Sequence, residues 1–393
     1  MKSHHKSIVL ILLILTMLLS ACFAAPADAP QTAPANNYTI AVVELAHIDT
    51  DSPEANNSSQ QENPPDISYV GDVPPTPTAT EFVVYFLDVG QAAAVFIYSD
   101  GETMLIDGGG ASSSNLIYSF LDRHGIEHLD YIINTHPHED HVGGLSGALS
   151  RITSVGAALG SAKEYDTRAF NSFLSNLDNH GVELTIPKAG DGFMFGSATV
   201  EILAPIRDYN DVNNNSIVLM ITYGETSFLF TGDAERASEL DMIEAGLNLS
   251  ATVLKVGHHG SDTSTTYPFL REVMPEIAVI SCGANNQYGH PHDNLLSRLR
   301  DADVKVYRTD LQGDIIIRSD GINLTVETKR NADIQTNPTE HIVDEFSYIG
   351  NINSKKFHRL NCHTLPAEHN RVHLETREHA IDNGYDPCGN CKP

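Results

Sequence analysis

Short apolar runs alternate with amphipathic segments from Phe82 to about Thr328. Runs bounded by Gly, Asp or Asn are typical of buried strands, and segments with apolar residues three or four apart are typical of helices. The pattern predicts strands at 82–87, 93–98, 103–106, 129–133, 199–203, 217–223, 227–231, 251–256, 277–281, 305–309, 313–318 and 322–327. It predicts helices at 115–124, 161–180, 235–245 and 294–302. Strands that meet at short turns, with helices between them, indicate a layered α/β domain over residues 81–328.

Residues 1–22 form a predicted targeting signal. Lys2 and Lys6 precede an apolar stretch, 8–19, that is too short to favour spanning a bilayer, and the stretch ends in Leu-Ser-Ala-Cys. This ending resembles a bacterial lipobox, in which Cys22 becomes the lipidated first residue. We therefore expect a lipid anchor at the extracellular face of the cytoplasmic membrane. The alternative is an ordinary signal peptide cleaved near Ala24 or Ala25, which would give a secreted protein.

Two polar segments divide the rest of the chain. Residues 23–80 are rich in Ala, Pro, Asn, Ser and Thr, which predicts a disordered linker. Residues 329–345 predict a second linker, and residues 346–393 a separate small module. The formal net charge of -27 argues against tight binding that neutralises a nucleic-acid backbone. It does not exclude a phosphodiester substrate handled through bound cations.

The densest candidate chemistry lies directly after the predicted strand 129–133. His136, His138, Asp140 and His141 occur within one short run. Neutral imidazole and carboxylate are the ligands that zinc takes in sites with an open position for water. The run therefore predicts a catalytic metal centre, against the alternative of a solvated His-rich loop.

Further candidate ligands follow other predicted strands. Asp233 follows strand 227–231, His258 and His259 follow strand 251–256, and His290 lies in a His-Pro-His sequence after strand 277–281. Sites in open α/β sheets collect ligands at the carboxyl ends of strands. Asp233 also suits a helix N-cap, and each histidine alone would suit a surface or core position. Their recurrence at strand ends favours one shared site.

Residues 82 to about 327 resemble the metallo-β-lactamase-fold hydrolases. Within them the segment is similar to the soluble hydrolase domain of ComEC-type competence proteins, and more distantly to teichoic-acid phosphorylcholine esterases. The matching segments are 86–91, 105–109, 135–144, 214–219, 231–233, 256–261 and 288–291.

The resemblance implies a four-layer αββα metallo-β-lactamase sandwich that binds two Zn²⁺ or Mn²⁺ ions. It implies that His136 and His138 hold one ion, that Asp140 and His141 hold the other, and that Asp233 bridges both. His258 would complete the second site, with His259 as the competing candidate. Asp107 would orient a ligand histidine. Asp140 would also orient the nucleophile, and His290 would donate to a non-bridging oxygen or to the leaving group.

The chain departs from the family pattern in two places. Residues 213–216, Asn-Asn-Asn-Ser, occupy the stretch where many members have another ligand histidine. Gln91-Ala92-Ala93 stands where ComEC-like chains usually have Gln-Gly-Asp, which puts in doubt whether substrate handling is the same. The first departure argues against a true β-lactamase.

Four residues near the C-terminus have the spacing of a structural zinc site: His358, Cys362, Cys388 and Cys391. The segment resembles the metal-binding domain of Ada-type DNA-repair proteins, in which a methyl-accepting cysteine stands at the position of His358. A zinc fold is therefore implied and methyl transfer is not. Disulfide pairing is the alternative. The remaining cysteine of the hydrolase segment, Cys282, suits a buried apolar position.

Together these features predict a phosphodiesterase or nuclease that acts on extracellular DNA through a dinuclear zinc-activated hydroxide. One alternative is a phosphodiesterase of the cell envelope, acting on teichoic acid or phosphorylcholine. The non-enzymatic alternative is a surface DNA-binding competence lipoprotein. The oligomeric state is left open.

Overall fold

The computed structural model describes residues 81–337, 348–360, 362–374 and 376–393. The predicted signal with Cys22, the linker 23–80 and residues 338–345 of the second linker lie outside these residues. Among the helices of the described part, none combines the length and apolar character of a bilayer-spanning segment.

The strands and helices of the described residues follow in chain order. The strands are β1 (Phe82–Phe86), β2 (Val95–Ser99), β3 (Glu102–Ile106), β4 (His128–Asn134), β5 (Ser154–Gly160), β6 (Leu184–Thr185), β7 (Gly192–Phe195), β8 (Ala198–Ala204), β9 (Val218–Tyr223), β10 (Thr226–Phe230), β11 (Val253–Lys255), β12 (Ile277–Ile280), β13 (Lys305–Arg308), β14 (Ile315–Ser319), β15 (Leu324–Thr328), β16 (Tyr348–Asn351), β17 (Lys356–Arg359), β18 (Arg371–Leu374) and β19 (Asp386–Pro387). The helices are α1 (Ser114–Arg123), α2 (Glu139–Val142), α3 (Leu145–Arg151), α4 (Arg168–Asn179), α5 (Arg236–Glu244), α6 (Tyr267–Val273), α7 (Asp293–Asp301), α8 (Thr309–Gln312) and α9 (Arg377–Asp382).

Two large sheets form the middle of the described structure. The first sheet has the strand order β15-β14-β1-β2-β3-β4-β5-β6, and the second has the order β13-β12-β11-β10-β9-β8-β7. Strands β3, β4, β5 and β6 run parallel, as do β10, β11, β12 and β13. Parallel strands end at the same edge of their sheet, so the loops after them lie close together.

Buried side chains fill the space between and outside the sheets. Strand β1 is buried on both faces: Phe82, Val84 and Phe86 point into the core between the sheets, whereas Val83 and Tyr85 pack beneath the helices of the first sheet. Alternate residues of a strand point to opposite faces, which explains this division. Helices α1, α3 and α4 cover the first sheet, and helices α5, α6 and α7 cover the second. The predicted four-layer αββα sandwich is confirmed.

Most predicted elements are present, with shifts at their ends. The predicted helix 161–180 is too long, because α4 begins only at Arg168. The side chain of Thr167 accepts a hydrogen bond from the Phe170 backbone N–H at 3.3 Å and so caps the helix there. Strands β5, β6 and β7 of the sandwich were not predicted.

Residues 348–393, where described, form the C-terminal module. Its sheet has the order β18-β16-β17-β19, and α9 packs against β16 and β18. Its core consists of five buried side chains: Tyr348, Phe357, Leu374, Ala380 and Tyr385. The module and the sandwich belong to one compact unit.

Candidate metal centre

The loops that follow the parallel strands bring the predicted ligands to one edge of the sandwich. Asp107 follows β3, His136 follows β4, Asp233 follows β10, and His259 follows β11. Asp140 and His141 lie in the short helix α2, directly after the His136 loop.

Four of these residues converge closely. The ligand atoms of Asp140, His141, Asp233 and His259 all lie within 4.8 Å of one another. His141 Nε2 is 3.2 Å from Asp233 Oδ1 and 3.1 Å from His259 Nε2. His259 Nε2 is in turn 3.2 Å from Asp140 Oδ2. The cluster is buried apart from Asp140, whose side chain is 36% exposed.

The tautomers of the two histidines make this cluster suitable for a cation. His141 Nδ1 lies 2.8 Å from Asp107 Oδ2, and His259 Nδ1 lies 3.0 Å from the carbonyl oxygen of Ser281. Both partners only accept hydrogen bonds, so each Nδ1 holds a proton. In the neutral rings both Nε2 atoms are therefore lone-pair donors, and they face each other and the two carboxylates.

The carboxylates in and beside the cluster favour positive charge on the groups next to them. Burial alone would lower the pKa of His141, but the carboxylates of Asp233 and Asp107 raise it well above its ordinary value. Burial likewise opposes ionisation of Asp233, whereas the charges of His141 and His259 hold its pKa well below the usual range. A divalent ion can supply this positive charge, because all four groups are zinc ligands by type.

A second pair of histidines lies beside this cluster. His136 Nε2 is 3.0 Å from His138 Nδ1 and 3.8 Å from Asp233 Oδ2. His136 is fully buried, and burial is the main reason that its pKa falls well below the ordinary value. A neutral imidazole is the form that binds a metal, so His136 and His138 are suited to a second ion beside Asp233.

His258 and His259 differ in where their rings point. Both have left-handed backbone conformations, with φ of 49° and 53°. His258 Nδ1 lies 3.1 Å from Glu235 Oε1, and its Nε2 is 3.9 Å from Asp233 Oδ2. His259, not His258, therefore belongs to the four-residue cluster. The resemblance implied that His258 completes the second site. The geometry instead favours His259, the competing candidate.

The family assignment follows from a comparison with known proteins. Residues 87–284 match the family model of the metallo-beta-lactamase superfamily. The chain belongs to this superfamily. Its fold implies binding of divalent metal, in agreement with the geometry of the cluster.

Curated relatives extend the match. The chain is 31% identical over 261 residues to ComE operon protein 3 of Bacillus subtilis, and this alignment covers 61% of this chain and 33% of that protein. It is 31% identical to competence protein ComA of Neisseria gonorrhoeae, covering 59% and 32%, and 34% identical to recombination protein 2 of Haemophilus influenzae, covering 58% and 28%. The chain thus spans about a third of the length of these relatives. The family match at 87–284 includes neither Cys22 nor the C-terminal module. The resemblances of the first to a lipobox and of the second to the Ada-type metal-binding domain stay predictions.

Asp107 fixes the ligand loop of this metallo-beta-lactamase superfamily member. Its carboxylate accepts hydrogen bonds from the Thr135 N–H and hydroxyl at 2.8 and 2.7 Å, besides its contact with His141. The Asp107 loop also packs backbone to backbone against helix α2 and the residues after it. Gly108 N donates to His141 O at 2.7 Å, and a Cβ on Gly144 would overlap the Gly108 carbonyl oxygen. The predicted orienting role of Asp107 fits these contacts.

We expect Asp107→Asn to lower metal affinity or kcat/KM by about 10- to 100-fold, because His141 loses the partner that holds its tautomer and ring orientation. Chelator competition and steady-state kinetics measure the two effects. Asp122→Asn is the matched control, since that carboxylate pairs with Arg151 on the surface of α1. Wild-type affinity and turnover in Asp107→Asn would contradict the role.

A cavity of 400 Å³ opens above the cluster, and we call it the metal cavity. Its lining residues are Gln91, His138, Glu139, Asp140, Tyr165, Thr167, Asn213, Asp233, His258, His259, Tyr288 and His290. It contains both carboxylates of the cluster and the predicted donor His290. Glu235 and the Ser281 carbonyl could not be predicted as partners of the ligands, because a backbone acceptor has no residue signature and Glu235 resembles any acid at a helix start.

The second predicted metal site is also assembled. His358 Nδ1 lies 3.4 Å from Cys362 Sγ, and Cys362 Sγ lies 3.9 Å from Cys388 Sγ. The ligand atoms of these three residues and Cys391 lie within 4.8 Å of one another. All the described cysteines are free thiols, and 3.9 Å is far longer than a disulfide bond of about 2.05 Å. The cluster therefore fits a Cys3His metal site and not the disulfide alternative.

Proposed function

We propose that the chain is a metal-dependent phosphodiesterase, and specifically a nuclease that acts on extracellular DNA. The observation on which this rests is the set of mutually facing lone-pair donors, Asp140, His141, Asp233 and His259, at the floor of the metal cavity. The names of the relatives, two competence-related proteins and a recombination protein, support DNA as the substrate. With the anchor expected at Cys22, the enzyme would meet DNA outside the cytoplasmic membrane.

The ligand assignment that we propose follows the contacts. His136, His138 and Asp233 would hold one divalent ion, zinc or manganese. Asp140, His141, Asp233 and His259 would hold the other. Two such ions, when bound, lower the pKa of a water molecule and stabilise charge on a phosphoryl oxygen.

Asp140 is placed to manage the proton of the nucleophile. Burial alone would raise the pKa of its carboxyl, but the hydrogen bond with His259 and the charge of His141 lower it below its ordinary value. The group is therefore ionised at neutral pH. Its partial exposure toward the metal cavity lets it accept a hydrogen bond from water there.

His290 is held as a neutral hydrogen-bond donor. The Gly283 N–H donates to Gln91 Oε1 at 3.0 Å, which fixes the amide so that its NH₂ group faces His290 Nδ1 at 3.2 Å. His290 Nδ1 therefore accepts, and the ring proton lies on Nε2. Burial lowers the pKa of His290 to about 4, so the ring is neutral at pH 7. Such a ring stabilises a non-bridging oxygen better than it protonates a leaving group.

We expect His290→Ala to lower kcat on a phosphodiester by about 100-fold, as loss of one oxyanion donor does in other enzymes. KM should change little, because the interaction strengthens only as charge develops on the oxygen. Steady-state kinetics on bis-p-nitrophenyl phosphate measure both constants. A loss in kcat of less than tenfold would remove His290 from the mechanism.

The substrate assignment is tested by incubating the purified protein with zinc or manganese and three substrates: single-stranded DNA, double-stranded DNA and bis-p-nitrophenyl phosphate. Turnover of the small diester and of DNA is the expected result. Turnover of the small diester with no cleavage of either DNA would support a phosphodiesterase and reject the nuclease. No turnover on any of them, with metal shown to be bound, would reject the hydrolase.

A further inference from the structure

A second cavity opens beside the metal cavity, and we call it the side cavity. It has a volume of 740 Å³, and both cavities are lined by Tyr165. The side cavity also contacts Pro137, the residue before the ligand His138, and Asn215, which lies close in sequence to Asn213 of the metal cavity. The two cavities are therefore adjacent, and a chain-like substrate that is bound at the metals and continues past Tyr165 would enter the side cavity.

The lining of the side cavity has more cations than acids. Lys188 and Arg207 line it, and Asp208 is the one acid among its lining residues, whereas the whole chain has a net charge of -27. Lys188 is exposed, and its ammonium group has no salt-bridge partner among the described residues. Arg207 pairs with Asp241 at 2.6 Å but keeps 58% of its side chain exposed. Both cations are thus available to a phosphate group.

Flat aromatic faces accompany these cations. The Arg207 guanidinium lies 4.3 Å from the ring centre of Tyr209, and the Tyr209 hydroxyl donates to Asp241 at 2.6 Å. Tyr165 stands at the junction of the two cavities, and Ile186 and Ile206 add exposed apolar surface. Aromatic rings beside cations are the means by which proteins bind single-stranded nucleic acid, with bases stacked on the rings and phosphates at the cations.

We propose that the side cavity is a subsite for the nucleotides that flank the scissile phosphate of a single-stranded nucleic acid. This inference rests on the proposed function. A duplex keeps its bases stacked on each other and would place no base on the rings of Tyr165 and Tyr209. A choline group is disfavoured, because its quaternary ammonium would meet Lys188 and Arg207. A polyol-phosphate chain would use the cations but not the rings.

The kinetic test compares kcat/KM on an oligothymidylate of eight nucleotides with kcat/KM on bis-p-nitrophenyl phosphate. Tyr209→Leu and Lys188→Ala should each lower this ratio by about tenfold, because the first removes a stacking surface for a base and the second removes a phosphate contact. Tyr209→Phe keeps the ring and should keep most of the ratio. Arg123→Ala, which removes an exposed cation at the end of α1, is the matched control and should leave the ratio unchanged.

A binding measurement separates the subsite from catalysis. Fluorescence anisotropy of a labelled phosphorothioate octathymidylate, which resists hydrolysis, titrated with the metal-loaded protein at several salt concentrations, should show weaker binding to Lys188→Ala. In this variant the slope of log K against log salt concentration should be less steep by about 0.7 than in the wild type, as expected for one lost phosphate contact.

Three results would overturn the proposal. The first is an unchanged ratio and unchanged binding in both Tyr209→Leu and Lys188→Ala. The second is an effect of Lys188→Ala with none of Tyr209→Leu, together with equal losses on polyglycerol phosphate, which would assign the cavity to a polyol-phosphate chain. The third is tighter binding of a duplex than of the octathymidylate. If the metal-loaded wild type hydrolyses none of the substrates, the proposed function fails, and the anisotropy data still decide the subsite.

Discussion

His259→Ala should lower kcat/KM on bis-p-nitrophenyl phosphate by about a thousandfold, because a bound ion contributes several kcal/mol of transition-state stabilisation and each 1.36 kcal/mol is a factor of ten. The Nε2 atom of His259 lies 3.1 to 3.5 Å from its neighbours in the cluster, on His141, Asp140 and Asp233. Its loss removes a ligand from the ion held by those residues. Metal analysis of the purified variant should show one ion fewer per chain than in the wild type.

His258→Ala is the matched comparison at the adjacent position. The His258 ring is 24% exposed, and its Nδ1 lies beside Glu235. This variant should keep the wild-type metal content and lose less activity than His259→Ala. Loss of an ion from His258→Ala, with retention in His259→Ala, would restore the assignment that the sequence resemblance favoured.

Cys388→Ser should remove one zinc ion per chain and unfold the C-terminal module. The hydrophobic core of the module comprises five buried side chains among the described residues. A structural zinc contributes about 10–16 kcal/mol of apparent binding free energy in small zinc domains. Without the ion we expect rapid proteolysis within residues 348–393 and reaction of Cys362 and Cys391 with a thiol reagent. Zinc analysis and limited proteolysis measure the two effects.

Two further variants control this experiment. Cys282→Ala removes a thiol buried in the sandwich and should leave the zinc content unchanged. His358→Cys offers a thiolate at the fourth position and should keep the zinc, whereas His358→Ala should lose it. A Cys388→Ser protein that keeps its zinc and resists protease would show that the four-residue cluster is not a structural metal site.

Unfolding of the module should also affect the sandwich, because side chains of the two parts contact each other. Arg377 of α9 contacts Asp301 and donates a hydrogen bond to the Tyr267 hydroxyl at 2.7 Å. Arg236, at the start of α5, contacts the buried Asp386 of β19. These contacts anchor the module against α5, α6 and α7, on the side of the sandwich that presents Asp233 and His259.

The layered fold could be predicted because the apolar pattern of single strands is a local property. Strand β1 is buried on both faces, and its unbroken apolar run indicates that directly. Strand β5 was missed because its burial is partial and its sequence, rich in Gly and Ala, has little β-propensity. Helix α4 was drawn too long because the amphipathic pattern continued past the Thr167 cap.

The positions of the ligands could be predicted because they follow strands, but the directions of their side chains could not. Two consecutive histidines follow β11, and each has a left-handed backbone. Which ring enters the cluster depends on acceptors far away in sequence, the Ser281 carbonyl for His259 and Glu235 for His258. The side cavity was not predicted for the same reason, since Tyr165, Lys188 and Arg207 come together only in the folded chain.

The most direct test of the account is a metal titration of the metal-free wild-type protein, followed by hydrolysis of bis-p-nitrophenyl phosphate and by zinc or manganese analysis. We expect no turnover in chelator, and full turnover only when the hydrolase site holds two ions in addition to the ion of the C-terminal module. The same titration of Asp233→Asn should give little turnover at any metal concentration. Full turnover in chelator, or no turnover with both ions bound, would contradict a dinuclear phosphodiesterase.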